Sequence, residues 1–316
     1  MRNDSVVCGF LGQGCDGETM SSRTTVAVTG GNGQVGRGVL RELADHGYRT
    51  VNLSRSSRRE DVADGYRRTD LLDAGEVYGS LAACDADAVV HLGMVPNPEG
   101  SPGHVTFESN VMTTYHVLEA CQHLDVDSVA VASSMSALGA GYDPDPVRLD
   151  YLPVDEEHPS DPRDPYALGK RVLEVTAEGV GRRNDGPTVS TLRFPIVVDD
   201  EWISETLVDS DRSLDTIREA PYYHSVRNTL FAYVHLADLA ALFRRCLETD
   251  FEGHETFWAA APDTTVDLPT ADLVAAEYPD VDVRVETGGF DGHESLVDTT
   301  KARELLGWEA ERSWRD

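Results

Sequence analysis

Tyr166 and Lys170 stand four residues apart, so a helix through them puts both side chains on one face. A phenol with an unperturbed pKa of about 10 is a poor base near neutral pH, but an ammonium one turn away favours the phenolate. Such a pair can take the proton of a substrate hydroxyl. Ser134 adds a hydroxyl able to hydrogen-bond to the carbonyl oxygen that develops on the same carbon. Oxidation of that carbon then needs a hydride acceptor. Singly these are weak signals: a Tyr-x-x-x-Lys is most often a surface pair, and Ser133-Ser134-Met135-Ser136 after a strand is more often a turn or cap.

A site for the acceptor lies upstream. Thr25-Val-Ala-Val-Thr29 is a β-branched run that stops at Gly30-Gly31, and Val35, Val39, Leu40 and Leu43 then recur at helical spacing. Gly30, Gly33 and Gly36 therefore fall in a strand-turn-helix unit: one glycine for the sharp turn, one for backbone approach to a pyrophosphate, one for close helix packing. The helix start, at Gln34 and Val35, offers free N–H groups to phosphate. The next strand, Tyr48 to Leu53, ends beside the expected adenosine ribose. Ser54 and Arg55, followed by Arg58 and Arg59, stand where an acidic residue would select NAD, so NADP is favoured over NAD. The alternative is a solvated loop whose arginines offset an acidic surface. Lys170 is also placed to hold the ribose hydroxyls of the bound dinucleotide.

The intervening chain must position these groups. A strand is expected over Asp85 to Leu92, a helix over Asn110 to Leu124, a strand over Val126 to Ala132 and a helix over Ala167 to Glu178. Apolar strands alternating with amphipathic helices argue for an α/β fold with a parallel sheet covered on both faces. Ligands then bind at the carboxyl edge of the strands.

At this point the chain resembles the extended short-chain dehydrogenase/reductase family, the NAD-dependent epimerase/dehydratase group. The resemblance runs from about Thr24 to the C-terminus, through Thr29-Gly-Gly-Asn-Gly-Gln-Val-Gly36, Asp70-Leu71, His91-Leu-Gly93, Asn110, Ser133-Ser134, Tyr166 with Lys170, Leu192-Arg193-Phe-Pro195, Tyr233-Val-His-Leu-Ala-Asp238 and Asp298 to Trp308. It implies a Rossmann doubly wound parallel sheet with a smaller C-terminal substrate lobe. It also implies that Asp70 and Leu71 flank an adenine, that Leu92, Gly93 and Asn110 contact the cofactor, and that Pro195 approaches the nicotinamide. The nucleotide-binding domain is expected over 23–194 and 230–260, and the substrate lobe over 195–229 and 261–316. In that lobe Tyr222, Tyr223, His224 and Arg227 either face a substrate or pack.

Three departures narrow the chemistry. Met135-Ser136 replaces the Asp-Glu pair that sugar dehydratases of the family carry, which disfavours dehydration. Ala137-Leu138-Gly139 stands for the usual Val-Tyr-Gly of nucleotide-sugar epimerases, and Phe194 to Glu201 for an Asn-x-Tyr-Gly-Pro stretch. Both weaken the case for a nucleoside-diphosphate sugar.

Of the 316 residues, 56 are Asp or Glu and 27 Lys or Arg, for a formal charge of −29 spread along the chain. Such a surface repels nucleic acid and anionic membrane. With Lys170 and Lys301 the only lysines, it looks like the acidic adaptation of a halophilic, salt-saturated cytoplasm. Cys8, Cys15, Cys84, Cys121 and Cys246 form no metal-binding pattern, so reduced thiols, a cytoplasmic location and no metal are expected. Residues 1–22 lack the pattern of a secretory signal and read as a disordered extension.

The expected function is an NAD(P)-dependent oxidoreductase acting at a secondary alcohol of a sugar or sugar-like molecule. The alternatives are a nucleotide-sugar (UDP-glucose-type) 4-epimerase and a non-catalytic NADP-binding sensor; intact Tyr166, Lys170 and Ser134 speak against the sensor. The expected partners are a small-molecule sugar derivative and at most a second copy of the chain.

Overall fold

The computed structural model describes residues 24–316 apart from 98, 141, 143, 144 and 286–288; the expected extension 1–22, with Cys8 and Cys15, lies outside the described residues. The first strand, β1 (Thr25–Thr29), and first helix, α1 (Gln34–Asp45), follow from the apolar run and the helical spacing after it. β2 (Arg49–Ser54), β3 (Gly65–Arg68), β4 (Ala88–His91) and β5 (Ser128–Ala132) then alternate with α2 (Ala74–Cys84) and α3 (Gly103–His123). After a two-residue strand β6 (Tyr151–Leu152) come α4 (Pro165–Gly181), β7 (Thr188–Arg193), β8 (Ile196–Val198), β9 (Tyr233–His235), a helix Leu236–Glu248 and β10 (His254–Trp258).

Seven strands form one sheet in the order β10-β7-β5-β4-β1-β2-β3, and every pairing is parallel. The order runs outward from β1 in both directions, which is the doubly wound arrangement. On one face Val39, Leu40 and Leu43 of α1 pack with Leu239, Leu242 and Phe243 of the helix 236–248. On the other, Val77 and Leu81 of α2, Val117 and Leu118 of α3 and Leu173 and Ala177 of α4 cover the sheet. Burial on both faces is why the strands read as continuous apolar runs.

Several boundaries differ from expectation for local reasons. β4 starts at Ala88 because α2 runs to Cys84 and is closed by Asp85 at φ 52°, in the left-handed region. α3 starts at Gly103, seven residues before the expected Asn110, directly after Pro102. Its polar first turns carry little apolar periodicity. α4 begins at Pro165, where the Asp164 side chain accepts hydrogen bonds from the Tyr166 and Ala167 N–H groups. That cap fixes where Tyr166 enters the helix.

A further apolar cluster lies beyond the carboxyl edge and is assembled from separated segments. Met135, Leu138, Leu152 and Val154 meet Ile217, Leu230 and Phe231, and also Leu273, Tyr278 and Leu296. Two short pairs border it, β8 with β9 and β6 with β11 (Asp282–Val283). The cores divide less simply than the expected blocks. Met135, Leu138, Ala140, Val147, Leu152 and Val154 pack with this cluster, whereas Ala302, Leu306 and Trp308 lie in the cluster formed by α1 and the helix 236–248.

The tightest backbone approach is at α1. A Cβ on Gly36 would strike the Gly30 carbonyl oxygen and stand 2.6 Å from Gly31 Cα, while one on Gly33 would meet only the Gly30 oxygen, at 3.3 Å. Gly36→Ala should therefore destabilise the fold by about 1–3 kcal/mol through overpacking. Gly33→Ala should stay within about 1 kcal/mol of the parent. Urea unfolding of both variants separates them; equal loss would contradict this packing.

Candidate active site

The turn after β1 is built as its glycines require. Gly30 has φ +71°, its N–H donates to Leu53 O at 2.8 Å, and a Cβ there would lie 2.9 Å from the Gly93 backbone. Gly33 is the N-cap of α1 and supplies no side-chain cap, so the first-turn N–H groups are not claimed by a cap. Above Gly33 the chain leaves open space. This cradle fits a pyrophosphate: a glycine faces it, and a helix start with free donors lies beneath.

A cavity of about 690 Å3 runs from this turn along the carboxyl edge. The structure brings most of the predicted residues to it. Gly30, Gly33, Gln34, Val35 and Gly36 line its floor, Ser54, Arg55, Asp70 and Leu71 one end, and Leu92, Gly93, Tyr166 and Lys170 the other. Ser134, Asn110 and Pro195 do not line it. Asn110 is buried, and its Oδ1 accepts from Val95 N at 3.1 Å, so it orders the loop after β4 rather than facing the cavity. Pro195 is turned inward, and its neighbour Phe194 lines the wall instead. Ser134 Oγ accepts from Ser136 N at 3.1 Å, capping the short helix Met135–Leu138, and lies near enough to Tyr166 to pull its pKa down. The capping and chemical readings of Ser134 hold together.

Some lining residues were not read from the sequence. Asn32 ties the glycine turn to the loop after β2: its Oδ1 accepts from Arg59 N at 2.9 Å, and its Nδ2 donates to Ser56 Oγ and Ser57 O. An asparagine between two glycines was the available signal. Met94 also lines the cavity, as does Arg59 of the expected arginine run. Ser54 donates to Asn52 Oδ1 at 2.8 Å and is buried, so its hydroxyl is largely committed within the protein. Arg58 is engaged by Glu60, leaving Arg55 and Arg59 toward the cavity, with no carboxylate at ion-pair distance among the described residues. Tyr223 and Arg227, weighed as substrate contacts, both bond to the buried Glu277 and serve packing.

At the reactive end Tyr166 is 5% exposed and Lys170 2%. Lys170 Nζ donates to Ala132 O at 2.8 Å, contacts Met94 Sδ at 2.7 Å and sits 5.6 Å from the Tyr166 ring centroid. The expectation that Lys170 lowers the Tyr166 pKa is not what the protein alone does. Burial dominates and raises the phenol pKa, opposed by the nearby Ser134 hydroxyl. Burial likewise pulls Lys170 down to about 7, opposed by the charge of Glu174. His91, by contrast, faces away from the cavity. Its ring joins Thr29 Oγ1 at 2.8 Å to Thr114 Oγ1 at 3.2 Å, and burial first and Lys170 second lower it to about 3, so it is neutral.

Among the described residues there is no group of three or more His, Cys, Asp or Glu placed to hold a metal, and no helix long and apolar enough to cross a membrane.

Comparison with known proteins places the chain in a family. The model of the NAD-dependent epimerase/dehydratase family matches residues 26–198, more than half the chain. A UDP-glucose 4-epimerase of Rhizobium leguminosarum bv. trifolii is 25% identical over 309 residues, covering 90% of this chain and 92% of that one. The dTDP-6-deoxy-L-talose 4-dehydrogenase (NAD(+)) of Aggregatibacter actinomycetemcomitans is 24% identical over 233 residues, 68% of this chain and 77% of its own. Among solved structures, the UDP-glucose-4-epimerase of Stenotrophomonas maltophila with bound NAD and formylated UDP-arabinopyranose superposes with a TM-score of 0.68 at 20% identity, over 93% of this chain and 95% of that one. That likeness shows a shared fold.

Gly33→Val places a branched side chain where the pyrophosphate must approach. The variant should remain folded but lose dinucleotide binding in a fluorescence titration; retained affinity would place the cradle elsewhere.

Proposed function

Because the chain belongs to the NAD-dependent epimerase/dehydratase family, we propose that it is an NAD(P)-dependent oxidoreductase acting at a secondary alcohol carbon of a sugar or sugar-like substrate, with Tyr166 as acid–base group. The observation that carries this reading is a single cavity with the glycine cradle at its floor and Tyr166 with Lys170 at one end. The Ser134 hydroxyl stands near enough to the Tyr166 phenol to oppose the rise in its pKa.

A nicotinamide bound there supplies the hydride acceptor. The residues of the chain handle the proton. Tyr166 receives it from the substrate hydroxyl, and the nearby Ser134 hydroxyl partly offsets the burial that keeps the phenol protonated. Lys170, when cationic, stabilises the phenolate across the shared helix face and reaches toward the ribose end of the cavity. Met94 and Phe194 wall this end with apolar surface, which limits water at the reacting carbon.

The sugar class is supported by the names of the relatives; Met135-Ser136 speaks against a dehydratase, and Phe194 to Glu201 against a nucleoside-diphosphate sugar. A second reading, a UDP-glucose-type 4-epimerase, is favoured by the whole-length epimerase relative. The two differ in outcome: net oxidation accumulates reduced cofactor with substrate consumption, whereas epimerisation leaves the cofactor pool unchanged. For the dinucleotide, Arg55 and Arg59 at the adenosine end favour a ribose 2′-phosphate, hence NADP.

Tyr166→Phe should lower turnover by at least about 100-fold while cofactor affinity stays within about twofold, since a positioned acid–base group contributes about 10²–10⁴. Unchanged turnover would remove Tyr166 from the chemistry.

Ser54→Asp with Arg55→Ala should shift preference toward NAD, measured as dissociation constants for both dinucleotides. Salt will narrow the difference by screening exposed charge. A parent protein that binds NAD at least as tightly as NADP at low and high salt would return the arginines to a solvated loop.

A further inference from the structure

We propose that Glu174 is a positioning residue for the reaction: it ties the ends of β5 and β7 to α4 through Ser133 and Arg193, and it places a buried negative charge one helical turn from Lys170. This rests on the roles given above to Ser134, Tyr166 and Lys170.

Tyr166, Lys170 and Glu174 follow one another at four-residue spacing on α4, on the face turned to the sheet, and Glu174 is 1% exposed. Its Oε1 accepts from Ser133 Oγ at 2.6 Å and Arg193 Nε at 2.9 Å; its Oε2 accepts from Arg193 Nη2 at 2.9 Å and Arg171 Nη1 at 3.1 Å. Each partner adjoins a site residue. Ser133 precedes Ser134 at the end of β5, and Arg193 precedes Phe194 at the end of β7. One carboxylate thus fixes three chain segments that meet at the reacting end of the cavity.

Stability alone does not account for the arrangement, because a buried ion pair is often no better than well-packed apolar side chains. Lys170 gives a chemical reason. Its amine has no carboxylate in contact, only Ala132 O and Met94 Sδ. Around it stand Tyr166 and Glu174 of α4 and neutral His91 of β4, so Glu174 is the anion that opposes its desolvation. Glu174 in turn faces Arg193 of β7, Arg171 on its own helix and His254 of β10. Burial works against its ionised form, but the bonds from Arg193 and Ser133 prevail and hold its pKa below the usual carboxylate range.

The sign of the effect follows. Removing the Glu174 charge lowers the Lys170 pKa, so the amine loses its proton at lower pH and activity falls earlier on the alkaline side.

The chain offers a direct readout, since Lys170 and Lys301 are its only lysines and Lys301 is a surface partner of Glu255. In protein carrying 13C at lysine Cε, Glu174→Gln should lower the Lys170 titration midpoint by about one pH unit or more and leave Lys301 in place. An unmoved Lys170 midpoint in the folded variant overturns the electrostatic part. If Glu174→Gln fails to fold, Glu174→Asp keeps the charge and should hold the Lys170 midpoint within about half a pH unit of the parent; a fall of about one unit or more in that variant overturns the electrostatic part. Ser133→Ala, which leaves the ion pair intact, should lower kcat about tenfold with cofactor affinity unchanged; unchanged kcat overturns the tether. The titration needs neither substrate nor cofactor, so it stands apart from failure of the proposed function, which Tyr166→Phe reports.

Discussion

The chemistry of this chain depends on one constraint, the register of its parallel ladder. Thr29 lies beside Leu53 and His91, His91 beside Val131, and Ala132 beside Leu192. Every strand therefore leaves the sheet at the same level, and the residues that follow, Gly30, Ser54, Leu92, Ser133 and Phe194, meet in one place. A slip of one residue in a pairing would turn its side chains to the opposite face. The neutral His91 ring opposes such a slip. By joining Thr29 Oγ1 to Thr114 Oγ1 it links β1, β4 and α3 with hydrogen bonds that only this register satisfies.

The same edge concentrates ionisable groups in a medium that disfavours charge. Tyr166 and Lys170 are both driven toward their neutral forms by burial, whereas Glu174 stays ionised against burial because Arg193 and Ser133 bond to it. The exterior is the reverse, with 56 acidic residues against 27 basic ones. Beside the end of β2, Arg55 and Arg59, with Arg67 and Arg68 beyond, make a local basic rim on an acidic molecule. Bulk repulsion of an anionic ligand is screened within about 8 Å at physiological salt. A rim of arginines in direct contact with such a ligand is affected less.

What the amino-acid order revealed, and what it concealed, follows a physical division. β1 and the start of α1 are legible because glycine and β-branched residues have strong local preferences. Tyr166 and Lys170 are legible because helical spacing alone makes them neighbours. β3 was not recognised: Gly65-Tyr-Arg-Arg68 is an edge strand with exposed side chains and no apolar alternation. The first turns of α3 were missed for the same reason. The Ser133–Glu174–Arg193 cluster joins two strands and a helix, and local periodicity carries no record of such pairings. Depth was concealed as well. The effect of Lys170 on Tyr166 was read as though both stood near water, and Ser54 as though its hydroxyl were free of Asn52.

The return of residues 302–312 to the sheet domain bears on how the protein is made. Ala302, Leu306 and Trp308 close the apolar groove between α1 and the helix 236–248. Trp308 Nε1 donates to Asp238 O at 2.9 Å, and Arg312 Nη1 meets Asp238 Oδ1 at 2.7 Å. These residues leave the ribosome after Val266, Leu273, Tyr278 and Leu296, which belong to the other cluster. At a synthesis rate of about 5–20 residues per second, the seven-stranded sheet and its helices wait seconds with part of their apolar surface uncovered. The part of the molecule whose strands are made first is thus the last to be sealed, and its completion is coupled to the prior synthesis of the lobe that faces it.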